Sequence, residues 1–246
     1  MKGTKAMIDS YVALDIETTG LNPAADRIIE IGMARVCNGN VTDTYSTLVN
    51  PGIKISDRII ELTHIHNEEL TDQPRINELI EDVIQFIGDY PILGHNVIFD
   101  YSFLKQWAVN HKRTLSLNAY DTLKIARKCL PAEQSKKLED LCEYFDVSRE
   151  NAHRALDDAI ETKQIFEKLL ALMDEKGEQV EPKPLVYKAK KQTPATAHQV
   201  RQLKELMAEY GIADVISWDN LTRSQASRLY DEYRSTYINR CEDGSK

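Results

Sequence analysis

Asp15 and Glu17 stand two residues apart in the apolar run Tyr-Val-Ala-Leu-Asp-Ile-Glu at positions 11–17. Such a run reads as a buried strand. Residues two apart on a strand face the same side, so the two carboxylates project together while Val12, Leu14 and Ile16 face the other way. Their repulsion and desolvation are costly unless a proton, a cation or hydrogen bonds compensate. The spacing alone is weak, because Asp-x-Glu arises by chance about once or twice in a chain this acidic. Asp100 is the next candidate, in His95-Asn96-Val97-Ile98-Phe99-Asp100, where it falls in the first turn of a helix. An acid there also simply complements the helix dipole. The third group is His153-Arg154-Ala155-Leu156-Asp157-Asp158. Asp158 shares a helical face with Thr162, Ile165, Leu169 and Met173, so it heads a core-facing stripe while Asp157 faces elsewhere. A carboxylate in that stripe is expensive without a cation, and hard cations prefer oxygen ligands. His153 precedes this helix on a loop, one turn from the candidate cation ligand, and imidazole suits proton transfer near neutral pH.

These groups need a frame. The first strand stops at Thr18-Thr19-Gly20. A second apolar run, 27–37, meets a third, 41–49, across Asn38-Gly39-Asn40, a turn-forming cluster that marks a hairpin. Three consecutive antiparallel strands follow. After Pro51 the pattern turns helical, with Leu79, Ile80, Val83, Ile84 and Ile87 at helix spacing, and Pro91-Ile92-Leu93-Gly94 predicts a short fourth strand. Helical spacing resumes at Val97, residues 118–123 predict a fifth strand, and 138–145 and 154–173 predict two further helices. Strands first and alternating elements later predict an α/β chain with a mixed sheet flanked by helices.

From Gly177 to Thr196 the periodicity disappears and Pro182, Pro184 and Pro194 appear, which predicts an extended linker. Residues 182–204 hold six basic residues and no acidic one, and a solvated linker explains this as well as a phosphate-contacting arm. Beyond it, Val200, Leu203, Leu206, Met207 and Tyr210 mark an amphipathic helix ending at Gly211. A short run, 212–218, reads as a strand. Thr222-Arg223-Ser224-Gln225 then forms a capping box opening a last helix with Ala226, Leu229, Tyr230 and Tyr233 inward. The division predicted is a main domain at 9–174, a linker at 175–195 and a small helix–strand–helix module at 196–238. A module of this size without metal or disulfide docks on the main domain or on a partner.

With 246 residues, 42% hydrophobic and 28% charged, the chain has an ordinary globular composition, which excludes disorder as the dominant state. Net charge is −8 and uneven: residues 181–246 carry 11 basic and 9 acidic side chains, residues 1–180 carry 20 and 30. An acidic body argues against binding phosphate through Lys and Arg, unless its carboxylates hold divalent cations, and composition leaves both open. No stretch approaches the ~18 consecutive apolar residues of a membrane helix. Met1 to Ser10 carry no apolar run suited to a signal peptide, so the expectation is a cytoplasmic protein. Cys37, Cys129, Cys142 and Cys241 form neither a C-x-x-C pair nor a zinc spacing and read as reduced thiols, mostly core filler.

Asp-Ile-Glu-Thr-Thr-Gly-Leu (15–21), His-Asn-Val-Ile-Phe-Asp (95–100) and His-Arg-Ala-Leu-Asp-Asp (153–158), in this order, resemble the three motifs of the DEDDh (DnaQ-like) 3′→5′ exonucleases. The best-known member of that family is the proofreading epsilon subunit of bacterial DNA polymerase III. The resemblance covers about residues 9–173, and three ordered motifs are far more specific than any one. It implies a ribonuclease H-like fold with a central five-stranded mixed sheet. It also implies an enzyme, a phosphodiester hydrolase releasing nucleoside 5′-monophosphates from DNA 3′ ends in replication proofreading or repair. By this resemblance Asp15, Glu17 and Asp158 hold one Mg²⁺ or Mn²⁺, Asp15 bridges to a second ion supported by Asp100, and His153 is the general base. General chemistry agrees, since four carboxylates can hold two ions about 4 Å apart that clamp the attacking and leaving oxygens of a phosphodiester.

The resemblance further implies that Thr18, Thr19, Gly20 and Leu21 line the terminal-nucleotide pocket, with backbone groups on its 3′-hydroxyl and Leu21 against bases. Asn96 and Phe99 help shape that pocket, and Thr63 and Ile65 contact the nucleotide. His64 stands where the family generally has Gly. The partners implied are nucleic acid with a free 3′ end, single-stranded DNA foremost, and DNA polymerase or repair proteins, with no membrane. The family is silent on residues 177–246, whose helical module resembles small appendages on bacterial and phage DNA-metabolism proteins. The linker holds no convincing clamp-binding peptide. Two rival readings stand beside this one: an RNA-trimming exonuclease of the same fold, and a catalytically silent nucleic-acid-binding or scaffold subunit. Loss of an acid or of the His would favour silence, and all five are present. A glycosidase with two carboxylates explains neither Asp100 nor the His153/Asp158 pair.

Overall fold

Alternation along the first apolar run builds β1 (Ser10–Thr18), which lies inside a sheet of order β3-β2-β1-β4-β5-β6. This computed structural model describes residues 10–149, 153–214 and 216–238. The segment before Ser10 and Cys241, both read above from sequence, lie outside the described residues. β1 pairs antiparallel with β2 (Ile28–Cys37), and β2 antiparallel with β3 (Asn40–Leu48). The hairpin between them places Asn38 and Gly39 at φ 51° and 77°, the two positive-φ positions that a tight hairpin turn requires. On its other side β1 runs parallel to β4 (Ile92–Gly94), which runs parallel to β5 (Asn118–Asp121).

The sheet has six strands where five are predicted. The sixth, β6 (Lys183–Pro184), comes from the expected linker and pairs antiparallel with β5. Pro184 has no N–H to donate, which confines such a segment to a sheet edge. The rest of the linker is extended as expected but strapped to the main domain. Leu185 N donates to Leu117 O (2.9 Å), Gln106 Nε2 to Lys190 O (2.8 Å) and Gln192 N to Asn110 Oδ1 (2.9 Å).

Even and odd residues of β1 serve different layers. Val12, Leu14 and Ile16 pack with α3 (Ile76–Ile87) and α4 (Ile98–Asn110), whereas Tyr11 and Ala13 pack with α5 (Thr122–Cys129), α6 (Leu138–Tyr144) and α7 (Ala155–Glu175). Asp15 and Glu17 therefore face the α7 layer. The α5 helix replaces the end of the predicted fifth strand, because Asp121 caps it by accepting Leu123 N and Lys124 N. Cys129 and Cys142 are buried free thiols and Cys37 is half-buried and free.

Two short helices, α1 (Asp57–Thr63) and α2 (Asn67–Leu70), bridge β3 to α3 over a small cluster of Ile29, Ile55, Ile65 and Leu70. His64 caps α1 in the left-handed conformation, φ 56° and ψ 17°. A residue with a Cβ is penalised there, which is the physical reason a glycine suits the position. His64→Gly is expected to stabilise the protein by about 0.5–1 kcal/mol after the extra freedom of the unfolded glycine is deducted. A raised urea midpoint at unchanged slope would register it.

The C-terminal module opens with α8 (Ala197–Tyr210), capped by Thr196 through a capping box with Gln199 and closed by Gly211 at φ 64°. Its last helix, α9 (Arg223–Tyr233), carries the predicted capping box between Thr222 and Gln225. Leu203, Leu206, Ile212, Leu221, Ala226, Leu229 and Tyr233 form its core, and Ile53 of the main domain packs against it. The strand predicted over 212–218 is absent among the described residues. Residues Trp218–Asn220 make a 3-10 turn instead, and the module's β-type bridge joins Pro194 to Thr222, leaving the short apolar run with no strand edge to pair.

Candidate active site

The end of β1 gathers carboxylates from both layers. In the β1–β2 register Asp15 lies opposite Gly32 and Glu17 opposite Glu30, and a bulge follows between Glu17 and Thr18. A Cβ on Gly32 would sit 2.1 Å from the backbone carbon of Ala155 and from the nitrogen of Leu156, so the first turn of α7 lies directly on β2. Glu30 fastens it there. Its Oε2 accepts Ala155 N (3.0 Å), and its Oε1 accepts Arg154 Nε (3.0 Å) and Nη2 (2.9 Å). Asp158, buried one turn along, is thereby carried over the strand end. Donor atoms of Glu17, His153 and Asp158 all lie within 4.8 Å of one another. His153 reaches this place from a backbone at φ 65°, at the corner where the chain turns into α7.

Asp100 comes from the opposite layer. It is 3% exposed, and its Oδ1 accepts the backbone N–H of Ile16 at 3.1 Å, between the two β1 carboxylates. The helix-dipole reading of Asp100 therefore does not account for its whole placement.

The cluster is electrostatically strained. Burial, then Asp100, Glu17, Asp158 and Glu30 in that order, hold the Asp15 carboxyl well above its ordinary range. Burial followed by Asp158, Glu30 and Asp100 pushes Glu17 up to about 8, with Arg154 opposing. Burial likewise pushes Asp100 to about 8 against the hydrogen bond from Ile16. Asp158 pairs with Arg149 Nη2 at 2.7 Å, and Arg149 Nε also reaches Glu161 at 2.8 Å. Asp15, Glu17 and Asp100, raised by burial and by the charge of neighbouring carboxylates, form with Asp158 an oxygen donor set that fits hard divalent cations.

The remaining predicted residues fall in three places. Thr18 Oγ1 donates to Gly20 O (2.7 Å) and Thr19 Oγ1 to Asp26 Oδ1 (3.2 Å), shaping a turn whose tip, Leu21, is 83% exposed. Asn96 is exposed at φ 65° with its N–H on Asp121 Oδ1 (3.2 Å), and half-buried Phe99 packs its ring 5.2 Å from that of Phe103. Thr63 and Ile65 are covered, in contrast to the nucleotide contact expected of them. The Thr63 hydroxyl donates to Ile59 O (2.9 Å) and accepts Ile65 N (3.3 Å), and Ile65 belongs to the cluster beneath α1 and α2.

Neither motif nor spacing singles out Glu30, Gly32, Arg149 or Glu161. Two signals were nevertheless present: an acid and an isolated glycine inside an apolar strand, the second being a mark of close backbone approach. Because the obstacle at Gly32 is backbone, Gly32→Ala is expected to push the first turn of α7 outward. The cost should be roughly 2–3 kcal/mol of stability by overpacking, together with weaker Mn²⁺ binding, read by denaturant titration and by calorimetry.

Residues 12–166 match the exonuclease family model RNase_T. The chain belongs to this exonuclease family, and its fold is ribonuclease H-like. It is 37% identical over 170 residues to DNA polymerase III PolC-type of Clostridium perfringens, covering 68% of this chain and 12% of that protein. It is 36% identical over 162 residues to DNA polymerase III subunit epsilon of Aquifex aeolicus, covering 65% and 80%. The chain thus spans 12% of the length of the PolC-type relative. Among solved structures, Exonuclease X in complex with 5′ overhanging duplex DNA has a TM-score of 0.54 at 26% identity, over 69% of this chain and 94% of that one. The nuclease domain of 3′hExo, a DEDDh family member bound to rAMP, shares the fold at a TM-score of 0.61 and 20% identity, over 74% and 100%. Among the described residues no helix is long and apolar enough to cross a membrane.

Proposed function

We propose that this chain is a metal-dependent 3′→5′ exonuclease that releases nucleoside 5′-monophosphates from DNA 3′ ends in replication proofreading or repair. The reading rests on one observation above all, the convergence of Glu17, His153 and Asp158 within 4.8 Å at the end of the strand that also carries Asp15. Asp15, Glu17, Asp100 and Asp158 are the residues that would hold two Mg²⁺ or Mn²⁺ ions. Such ions, when bound, supply positive charge that acidifies the attacking water and stabilises the leaving oxygen.

Within this reading the protein's own groups divide the work. His153 accepts the proton of the attacking water on a ring nitrogen. Asp100, through Ile16 N, ties the β1 end to α4 and keeps the carboxylates of the two layers in register. The Thr18–Leu21 turn seats the terminal nucleotide, its backbone toward the 3′-hydroxyl and the exposed Leu21 side chain against the base. Residues 9–174 carry this chemistry, 175–195 connect, and 196–238 form the appended module. Relatives named as DNA polymerase III chains support DNA as substrate and a polymerase as partner.

The test is degradation of 3′-labelled and 3′-blocked DNA and RNA oligonucleotides with Mg²⁺, Mn²⁺ or EDTA. Nucleoside 5′-monophosphates should appear from open DNA 3′ ends with either ion and vanish with EDTA. Equal attack on blocked ends would overturn the exonuclease reading, and faster loss of RNA would replace DNA as substrate.

A further inference from the structure

We infer that the C-terminal module is part of the terminal-nucleotide pocket, with Arg228 of α9 acting as a positioning residue that holds the Thr18–Asp26 turn in its working shape. The inference rests on the exonuclease reading above. Asp26 closes that turn. Its carboxylate accepts Thr19 Oγ1 at 3.2 Å and Asn22 N at 2.8 Å, and its side chain is 1% exposed. A carboxylate so covered needs a counter-charge, and Arg228 Nη1 supplies it as an ion pair with Asp26 Oδ2. Arg228 Nη2 also points at Thr19 O, 3.5 Å away.

Gly20 shows how tightly this is built. A Cβ there would lie 2.6 Å from Arg228 Nη2 and 2.7 Å from Asp26 Oδ2, so the guanidinium sits directly behind the Thr18-Thr19-Gly20 backbone. A second tether lies one turn earlier on α9, where Gln225 Oε1 accepts Arg27 Nη2 at 3.0 Å. The module itself is fixed to the main domain by Arg75 Nη1 on Ser217 Oγ (2.7 Å) and Ser217 N on Gly52 O (3.2 Å). The turn that presents Leu21 is thus shaped from in front by its own hydrogen bonds and from behind by a residue more than 200 positions away.

The consequence separates this role from that of a basic arm. Loss of phosphate-contacting lysines would weaken long strands only, and the loss would fade as salt rises. Loss of Arg228 leaves Asp26 buried without its partner, so the turn must rearrange and the shortest substrate is affected too. Asp26 is buried although the Arg228 side chain is 40% exposed, so the pair is screened only in part and much of the effect should persist at high salt.

The experiment compares full-length wild type, Arg228→Ala and Arg228→Lys. It measures kcat and KM on a DNA dinucleotide, binding of thymidine 5′-monophosphate by calorimetry, and amide hydrogen exchange. Arg228→Ala should raise KM roughly tenfold with kcat within about twofold. Exchange at Asn22 and Arg27 should quicken by roughly tenfold while Val12 and Leu14 in β1 keep their protection. Arg228→Lys should recover part of the loss, since it restores the charge but not the second donor. Unchanged KM on the dinucleotide would overturn the inference, and so would exchange that quickens equally in β1, which marks a merely structural role. Inactivity of the wild type would overturn the exonuclease reading instead. The pocket would then be decided by thymidine 5′-monophosphate binding, which must weaken in Arg228→Ala.

Discussion

Asp15→Asn is expected to remove nuclease activity, by on the order of 10³-fold or more, while making the metal-free protein more stable at pH 8. Both effects follow from one carboxylate. It is a cation ligand in the proposed reaction and a like charge in the empty cluster, where burial and then Asp100 and Glu17 raise it most. The pH dependence has a definite sign. Glu17 and Asp100 are both raised to about 8 in the folded protein, from ordinary values of 4.5 and 3.8. Acids raised on folding contribute stability that is fully present below their unfolded pKa and is lost as pH climbs through the folded one. Without divalent ions, the wild type should therefore melt at lower temperature at pH 8.5 than at pH 6, and Mg²⁺ or Mn²⁺ should reverse much of that loss by binding the folded state. Asp15→Asn should show a smaller pH slope and a smaller gain from the ion. Thermal melts in EDTA at the two pH values, beside turnover in Mg²⁺, measure all of this. Near-normal turnover by the variant would end the assignment of Asp15 as a cation ligand.

His153→Ala should lower the rate by roughly 10²–10⁴-fold, the usual contribution of a positioned general base, while cation and substrate binding remain. The closeness of His153 to Glu17 and Asp158 makes a second outcome informative. If turnover holds while Mn²⁺ binds more weakly, His153 is a cation ligand rather than a base, and titration calorimetry beside single-turnover rates tells the two apart.

Much of this site was legible in the residues because its parts break local rules. Two acids in an apolar strand, and one at the head of a core-facing stripe, contradict their surroundings unless something compensates, and that contradiction can be seen from the apolar setting around them. What positions them is less visible. Gly32 works through the absence of a side chain, and Glu30 through a helix start more than 120 residues later; both depend on which strand lies beside which. α5 escaped because it starts at the residue after a strand, with Asp121 ending the one and capping the other. β6 is two residues long and contains a proline, so no periodicity announces it, and its pairing depends on the free edge of β5. The covered state of Ile65 was equally hidden, since it is set by Ile29, Ile55 and Leu70 packing from separate segments.

The two flanks of the sheet bear on how the chain behaves in a crowded solution. A sheet with an open flat margin is a template on which another copy can add strands and start a fibre. Here one margin is β3, which interleaves Thr42, Asp43, Thr44, Ser46 and Thr47 and engages Asp43 with Arg35 across the hairpin. The other margin is closed by Lys183 and Pro184, a charge and an imide that offer an incoming strand neither a long ladder nor a full set of donors. The strap that carries the module to its seat therefore also denies the sheet a place to grow, so removing the chain from Pro182 onward would expose the outer side of Asn118 and Ala119 to lateral self-association.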